Sequence, residues 1–180
     1  HLFGSEKYFE NTGSSSSPAF VGANPFGLAD VGDYSTPTFV DIDGDLDAFV
    51  GEDYGNVKYF ENTGTSSSPA FAASSNNPFN LTDVGDYSSP AFVDIDGDGD
   101  LDAFVGEEYG DVKYFENTGS SSTPAFDTSS DNPFGLANVG GYGSPVFVDI
   151  DGDGDLDALV GNSGGYIEFF ENTGSSSAPA

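Results

Sequence analysis

Between Asp94 and Asp102 the chain reads D-I-D-G-D-G-D-L-D, and the same nine residues return at 149–157. Five anions in so short a span repel one another. Two like charges about 4 Å apart cost roughly 4 kcal/mol at an effective dielectric near 20. A hard divalent cation with oxygen ligands reverses that sign, and Asp alternating with Gly lets a short loop wrap one. Calcium accepts about 6–8 oxygens in tolerant geometry, whereas magnesium demands a strict octahedron and retains its waters, so calcium fits better. A lone D-x-D-G is as readily an ion-free solvated turn. Two identical loops at fixed spacing, each followed by A-[FL]-V-G, argue for cation binding. The candidate ligands are Asp94, Asp96, Asp98, Asp100 and Asp102, then Asp149, Asp151, Asp153, Asp155 and Asp157. A third loop, 41–47, keeps Asp41, Asp43, Asp45 and Asp47 but lacks one Gly-Asp pair.

The elements that position these loops follow from internal repetition. The string E-N-T-G begins at Glu10, Glu61, Glu116 and Glu171, in steps of 51, 55 and 55 residues. The short first step reflects the shortened loop and a linker, Pro18 to Pro25, two residues shorter than its counterparts. Each unit offers four candidate strands: 90–95 into the loop, 101–106 out of it, 111–117 after a Tyr109-Gly110 turn, and the Pro-Ala-Phe segment 124–126. Val112 and Tyr114 face one way and Phe115 the other, the mark of a sheet covered on both faces. The expectation is an all-β chain of tandem four-stranded antiparallel sheets, β-propeller-like blades of about 55 residues, roughly three in number and open-ended. A partial blade would occupy 1–36, and repeats would occupy 37–89, 90–144 and 145–180, the last ending as its fourth strand begins.

Composition bounds the partners. The 31 acidic residues face only Lys7, Lys58 and Lys113, for a formal charge of −28. Nucleic acid is excluded as a direct partner for want of a basic patch. Three bound calcium ions would still leave −22, from −28 and three charges of +2. No apolar run approaches the roughly 18 residues a membrane span needs, so no direct membrane insertion is expected. Cysteine is absent and gives no compartment signal. Calcium modules with dissociation constants of about 10⁻⁴ to 10⁻³ M fill only outside cells, which points to a secreted or cell-surface setting. The chain opens on His1 without a signal peptide, reading as a mature product or a window of something longer.

The combination of residues 90–106, P-A-F-V-D-I-D-G-D-G-D-L-D-A-F-V-G, with 112–119, V-K-Y-F-E-N-T-G, resembles the FG-GAP/VCBS repeat family. These are calcium-binding, integrin-α-like propeller blades. The resemblance implies calcium held in the hairpin between a blade's first two strands. It implies side-chain ligands at Asp94, Asp96, Asp98 and Asp102 with a backbone carbonyl from Asp100. In the next repeat Asp149, Asp151, Asp153 and Asp157 would match them, with the carbonyl of Asp155. Two sites are thus expected to be well formed, and the shortened loop to be weaker or altered. Propellers usually close with about 4–8 blades, more than this chain holds. The open ends therefore predict a homo-oligomer or polymer formed through the end blades, or continuation in a longer parent chain.

Catalysis is not expected: His1 is the only histidine, and most carboxylates are committed to the loops. The Ser-rich runs before proline are read as turns that also suit O-glycosylation, at Ser15, Ser16, Ser17, Ser66, Ser67, Ser68, Ser121, Ser122 and Thr123. Asn80 heads the one N-glycosylation sequon. The functional expectation is an extracellular, calcium-stabilised structural or adhesive repeat protein. The alternative is a lectin-like module binding glycan or protein through the blade-edge turns 52–55, 107–110 and 162–166, which combine acids with tyrosine.

Overall fold

The computed structural model describes residues 8–23 and 26–180. The calls on His1 and Lys7, and the opening of the 1–36 unit, lie outside the described residues. The described residues form thirteen strands and a single 3₁₀ turn, Pro78–Asn80. A two-stranded sheet joins β1 (Tyr8–Asn11) to β2 (Phe20–Ala23). The next holds β3 (Thr36–Asp41), β4 (Leu46–Gly51), β5 (Val57–Phe60) and β6 (Ser75–Asn76) in that order. It is followed by β7 (Ser89–Val93), β8 (Asp102–Gly106), β9 (Val112–Phe115) and β10 (Ser130–Asp131). A three-stranded sheet of β11 (Ser144–Val148), β12 (Asp157–Gly161) and β13 (Ile167–Phe170) completes the series. All pairings are antiparallel, and each Asp loop spans the hairpin between a sheet's first two strands.

The fourth strand lies elsewhere than the sequence suggests. Phe71 and Phe126 make only single bridges, to Asn62 and Asn117. The sheets are completed by β6 and β10, paired with Lys58-Tyr59 and Lys113-Tyr114. The Ala125 N–H is taken by Asn117 Oδ1 and the Phe126 N–H by Phe79 O, so the Pro-Ala-Phe segment is not available to extend the ladder. The Phe126 ring enters the core instead.

The sheets stack in series, β7 against β3 and β4, then β11 against β7 and β8. Both faces of a middle sheet are consequently buried, which is why its strands are apolar throughout. Val57 and Phe49 of one sheet share a core with Ala103, Val105 and Phe115 of the next. Phe104, Val112 and Tyr114 meet Ala158 and Val160 in the following interface. One aromatic lattice recurs: Phe49 against Phe92 at 4.5 Å and Phe104 against Phe147 at 4.4 Å between ring centroids. Such pairs add about 0.5–1.5 kcal/mol each beyond the area they bury.

The Ser-rich runs are tight exposed turns closed by reciprocal backbone bonds, as between Thr65 and Ser68 or Ser120 and Thr123. Asn80 is exposed in the 3₁₀ turn. No helix of the described residues is long and apolar enough to cross a membrane.

Candidate metal centre

The two long loops fold alike because each Asp side chain ties down a backbone N–H two to five residues ahead. Asp94 accepts from Gly97 at 2.7 Å and Gly99 at 3.1 Å, Asp96 from Asp98 at 3.2 Å, and Asp98 from Asp100 at 3.0 Å. Asp149, Asp151 and Asp153 make the same four bonds at 2.7, 3.2, 3.1 and 3.1 Å. Gly97 and Gly99 sit at φ 76° and 96°, backbone geometry that favours glycine. The turns gather Asp94, Asp96 and Asp98, and likewise Asp149, Asp151 and Asp153, with one carboxylate oxygen of each within 4.8 Å of the others.

Asp102 and Asp157 lie at the loop base, outside those trios, and are almost wholly buried. Asp102 Oδ1 accepts the Asn117 N–H at 2.7 Å, and Asp157 Oδ1 the Asn172 N–H at 2.9 Å. Asp102 Oδ2 is buried with no partner, as are Asp100 Oδ1 and Asp155 Oδ1. The side chains of Asp100 and Asp155 thus turn an oxygen inward, in addition to the carbonyl that the family resemblance implies for them. Burial pushes the Asp102 carboxyl up to about 7. The Asn117 N–H pulls it down, while Asp96 and Asp100 push it further up. Burial also raises Asp100, with the charges of Asp98, Asp96 and Asp94 adding to it, and raises Asp155, where Asp153 adds most. An uncompensated buried carboxylate is costly, and a cation is the partner that would satisfy several such oxygens at once. The donor set fits a hard cation: oxygen only, dense in carboxylates, on a loop already curled.

The short loop converges differently. Asp43, Asp45 and Asp47 supply the three close oxygens there, and Asp41 holds the Gly44 N–H at 2.7 Å. Loss of two residues draws the basal Asp47 into the cluster. Its Oδ1 accepts from Asn62 at 2.7 Å, while Asp47 Oδ2 and Asp45 Oδ1 are buried without partners. Burial raises the Asp47 carboxyl as well.

The asparagine of E-N-T-G has a role that sequence reasoning missed. Its backbone clamps the basal Asp, and its side chain closes the Ser-rich turn. Asn62 Oδ1 accepts from Gly64 at 3.1 Å and Ala70 at 3.0 Å, and Asn117 Oδ1 from Gly119 and Ala125, each at 3.0 Å. Strict recurrence of E-N-T-G was the available signal. Ser176 was also missed: its carbonyl sits over Gly97, bringing the last Ser turn onto the preceding metal loop.

In the blade-edge turns Glu52 and Glu107 are spent internally. Glu52 accepts the N–H groups of Tyr54 and Asn56, each at 3.0 Å, and Glu107 those of Tyr109 and Asp111 at 2.9 and 2.7 Å. Asn162 serves in the third turn. Tyr54, Tyr109 and Tyr166 are left exposed at nearly equal levels of 70, 71 and 69 %.

The family model of the FG-GAP-like repeat matches residues 40–105 and again 94–160. No curated protein and no solved structure matches the chain.

Proposed function

Because the chain belongs to the FG-GAP-like repeat family, we propose that it is a calcium-stabilised segment of an extracellular repeat array with a structural or adhesive role. The observation that carries this reading is the set of orphaned oxygens, Asp102 Oδ2, Asp100 Oδ1 and Asp155 Oδ1, buried beneath trios of converging carboxylates. Bound calcium would supply the positive charge these groups lack and couple loop order to folding. Asp94, Asp96, Asp98, Asp100 and Asp102 would hold one ion, and Asp149, Asp151, Asp153, Asp155 and Asp157 a second. Asp41, Asp43, Asp45 and Asp47 would hold a third, more weakly. In this reading the ion is a staple, and the blades are modules that associate end to end. The exposed Ser and Thr turns are sites a secreted form would offer to O-glycosylation.

The test is thermal unfolding of the chain in millimolar calcium, in magnesium and in chelator, with bound calcium counted by equilibrium dialysis. A calcium-selective rise in Tm with at least two ions bound is expected. An unchanged Tm with no ion retained overturns the calcium reading.

A second reading draws on Tyr54, Tyr109 and Tyr166. Tyr54 and Tyr109, presented alike on successive turns, with Tyr166 one residue past the turn glycine of the third, would stack on sugar rings along one edge of the array. Glycan-array screening checks it, and loss of a hit in the Tyr54→Ala, Tyr109→Ala double variant would assign the edge.

A further inference from the structure

Loop 94–102 is part of the junction between the second and third repeats as well as a candidate metal loop. The third repeat meets it at two places. Ile95, the loop's second residue, is 5 % exposed and belongs to the core that Phe104 shares with Ala158 and Val160 of the next sheet. Two residues on, the Ser turn 174–178 lies against Gly97. A Cβ on that glycine would stand 2.7 Å from the Ser176 carbonyl oxygen and 3.7 Å from the Ser177 Cα. The turn that makes this approach is itself closed. Ser175 and Ala178 exchange backbone bonds at 3.1 and 3.0 Å, and Asn172 Oδ1 holds the Gly174 and Ala180 N–H groups at 3.0 Å each. Ser176 O, at its tip, accepts no backbone bond from the described residues.

The neighbour also covers carboxylates. Asp94 and Asp96 are half-buried, whereas Asp149 and Asp151, at the same positions of loop 149–157, are exposed. The same four Asp-to-backbone bonds fold both loops, so the cover comes from the packing and not from the loop itself.

Loop length decides whether the contact is made. Loop 41–47 is also followed by a complete repeat, whose turn at Ser120–Thr123 is closed by the same reciprocal bonds. Ile42 is buried in the sheet-to-sheet core, as Ile95 is. Yet a Cβ on Gly44, which follows the loop's second Asp as Gly97 does, would meet nothing within 4 Å. Asp41 and Asp43 remain exposed there. The sheets stack alike at both junctions, and only the loop two residues longer reaches the next repeat's turn.

We propose that the 174–178 turn of the third repeat is a positioning element for the calcium site of the second. Docked on Gly97, it holds loop 94–102 curled, so that calcium binding and stacking of the next repeat reinforce each other. The junction at the shortened loop lacks this coupling. The inference rests on the calcium reading above. Two effects act in one direction. Covering Asp94 and Asp96 raises the cost of leaving them without a counter-charge, and a loop already held loses less freedom when it binds. By linkage, bound calcium favours the docked turn by the same factor as the docked turn favours calcium. The role of Ser176 is positioning, not ligation.

The test is a calcium titration of the full chain followed by the amide NMR signals of Gly99 and Gly154. Their N–H groups rest on Asp94 and Asp149, so they report the two long loops separately. Gly174→Ala drives a methyl group into the Ala178 carbonyl and opens the turn without altering loop 94–102. Gly64→Ala opens the first repeat's turn in the same way, against Ser68. Gly174→Ala should weaken calcium binding at the Gly99 signal about fivefold or more, and Gly64→Ala should leave it unchanged. A second pair keeps the turn intact. Gly97 and Gly152 share a loop position and similar φ, 76° and 83°, but only the first faces Ser176. Gly97→Ala should therefore cost its loop about fivefold more affinity than Gly152→Ala costs its own. Unchanged affinity at Gly99 in Gly174→Ala, or equal losses in the second pair, overturns the coupling and leaves the calcium reading standing. Signals at both loops that ignore millimolar calcium overturn both.

Discussion

The backbone N–H of Asn117 donates to Oδ1 of Asp102 at 2.7 Å, joining the end of a metal loop to the end of the sheet's third strand. The same bond recurs between Asn62 and Asp47 and between Asn172 and Asp157. The basal carboxylate is thereby fixed by one oxygen, and its other oxygen is buried at Asp47 and Asp102 with no protein partner. The Asp loop and the sheet are mechanically linked through this residue.

Asp102→Asn separates the two roles. The amide oxygen still accepts the Asn117 N–H, but the buried charge is gone. In chelator the variant should be more stable than the wild type, since it no longer buries an unpaired carboxylate. In calcium it should be less stable, by about 1–3 kcal/mol for a lost charged ligand. Paired melts in the two buffers check the reversal of sign, and a loss of equal size in both would refute the metal role.

Without a divalent cation, stability should fall as pH rises. Burial raises Asp102 to about 7 in the fold, against roughly 3.9 for an unfolded Asp. Between those values the folded state binds more protons than the unfolded one, so stability decreases with pH. The raised carboxyls of Asp47, Asp100 and Asp155 act in the same direction. Tm in chelator should therefore drop steadily from pH 4 to pH 7. In saturating calcium the slope should flatten or reverse, because the ion binds the ionised form.

Asn117→Ala tests the turn anchor. It leaves the Gly119 and Ala125 N–H groups without the Oδ1 they share. A cost of about 1–3 kcal/mol is expected from unfolding in denaturant. Asn11→Ala removes the equivalent bonds to Gly13 and Ala19 at a fully exposed turn and should cost less.

The short loop should be the weakest of the three calcium sites. It has one internal Asp-to-backbone bond, to Asp41, where the 94–102 loop has four and the 149–157 loop has five. Inserting Gly-Asp between Asp45 and Leu46 restores the nine-residue sequence and should raise its affinity about tenfold or more. Calorimetric titration should resolve two similar sites and one weaker site in the wild type, and three similar sites after insertion.

Gly106→Ala should contrast sharply with Gly161→Ala. The first places a methyl group against Gly143 and the Pro145 ring, the second faces open space. Overpacking of this kind costs about 1–3 kcal/mol, so only the first should lower the Tm.

The sequence by itself determined the repeat, the sheet-forming segments and the Asp loops. These are local properties: alternation along strands, glycine at positive φ, and fixed spacing between E-N-T-G strings. Tertiary structure alone decided which oxygens are buried and unpartnered. That depends on Asn117 and the neighbouring sheet converging on Asp102 from far along the chain. It also moved the fourth strand to Ser130–Asp131, because the Ala125 and Phe126 N–H groups are taken by Asn117 Oδ1 and Phe79 O from elsewhere in the chain. And it separated Gly161 from Gly51 and Gly106, three identical letters in one motif. Two of them lie under the backbone of a following repeat and the third lies under none, a difference made by packing between repeats and not by any residue within one.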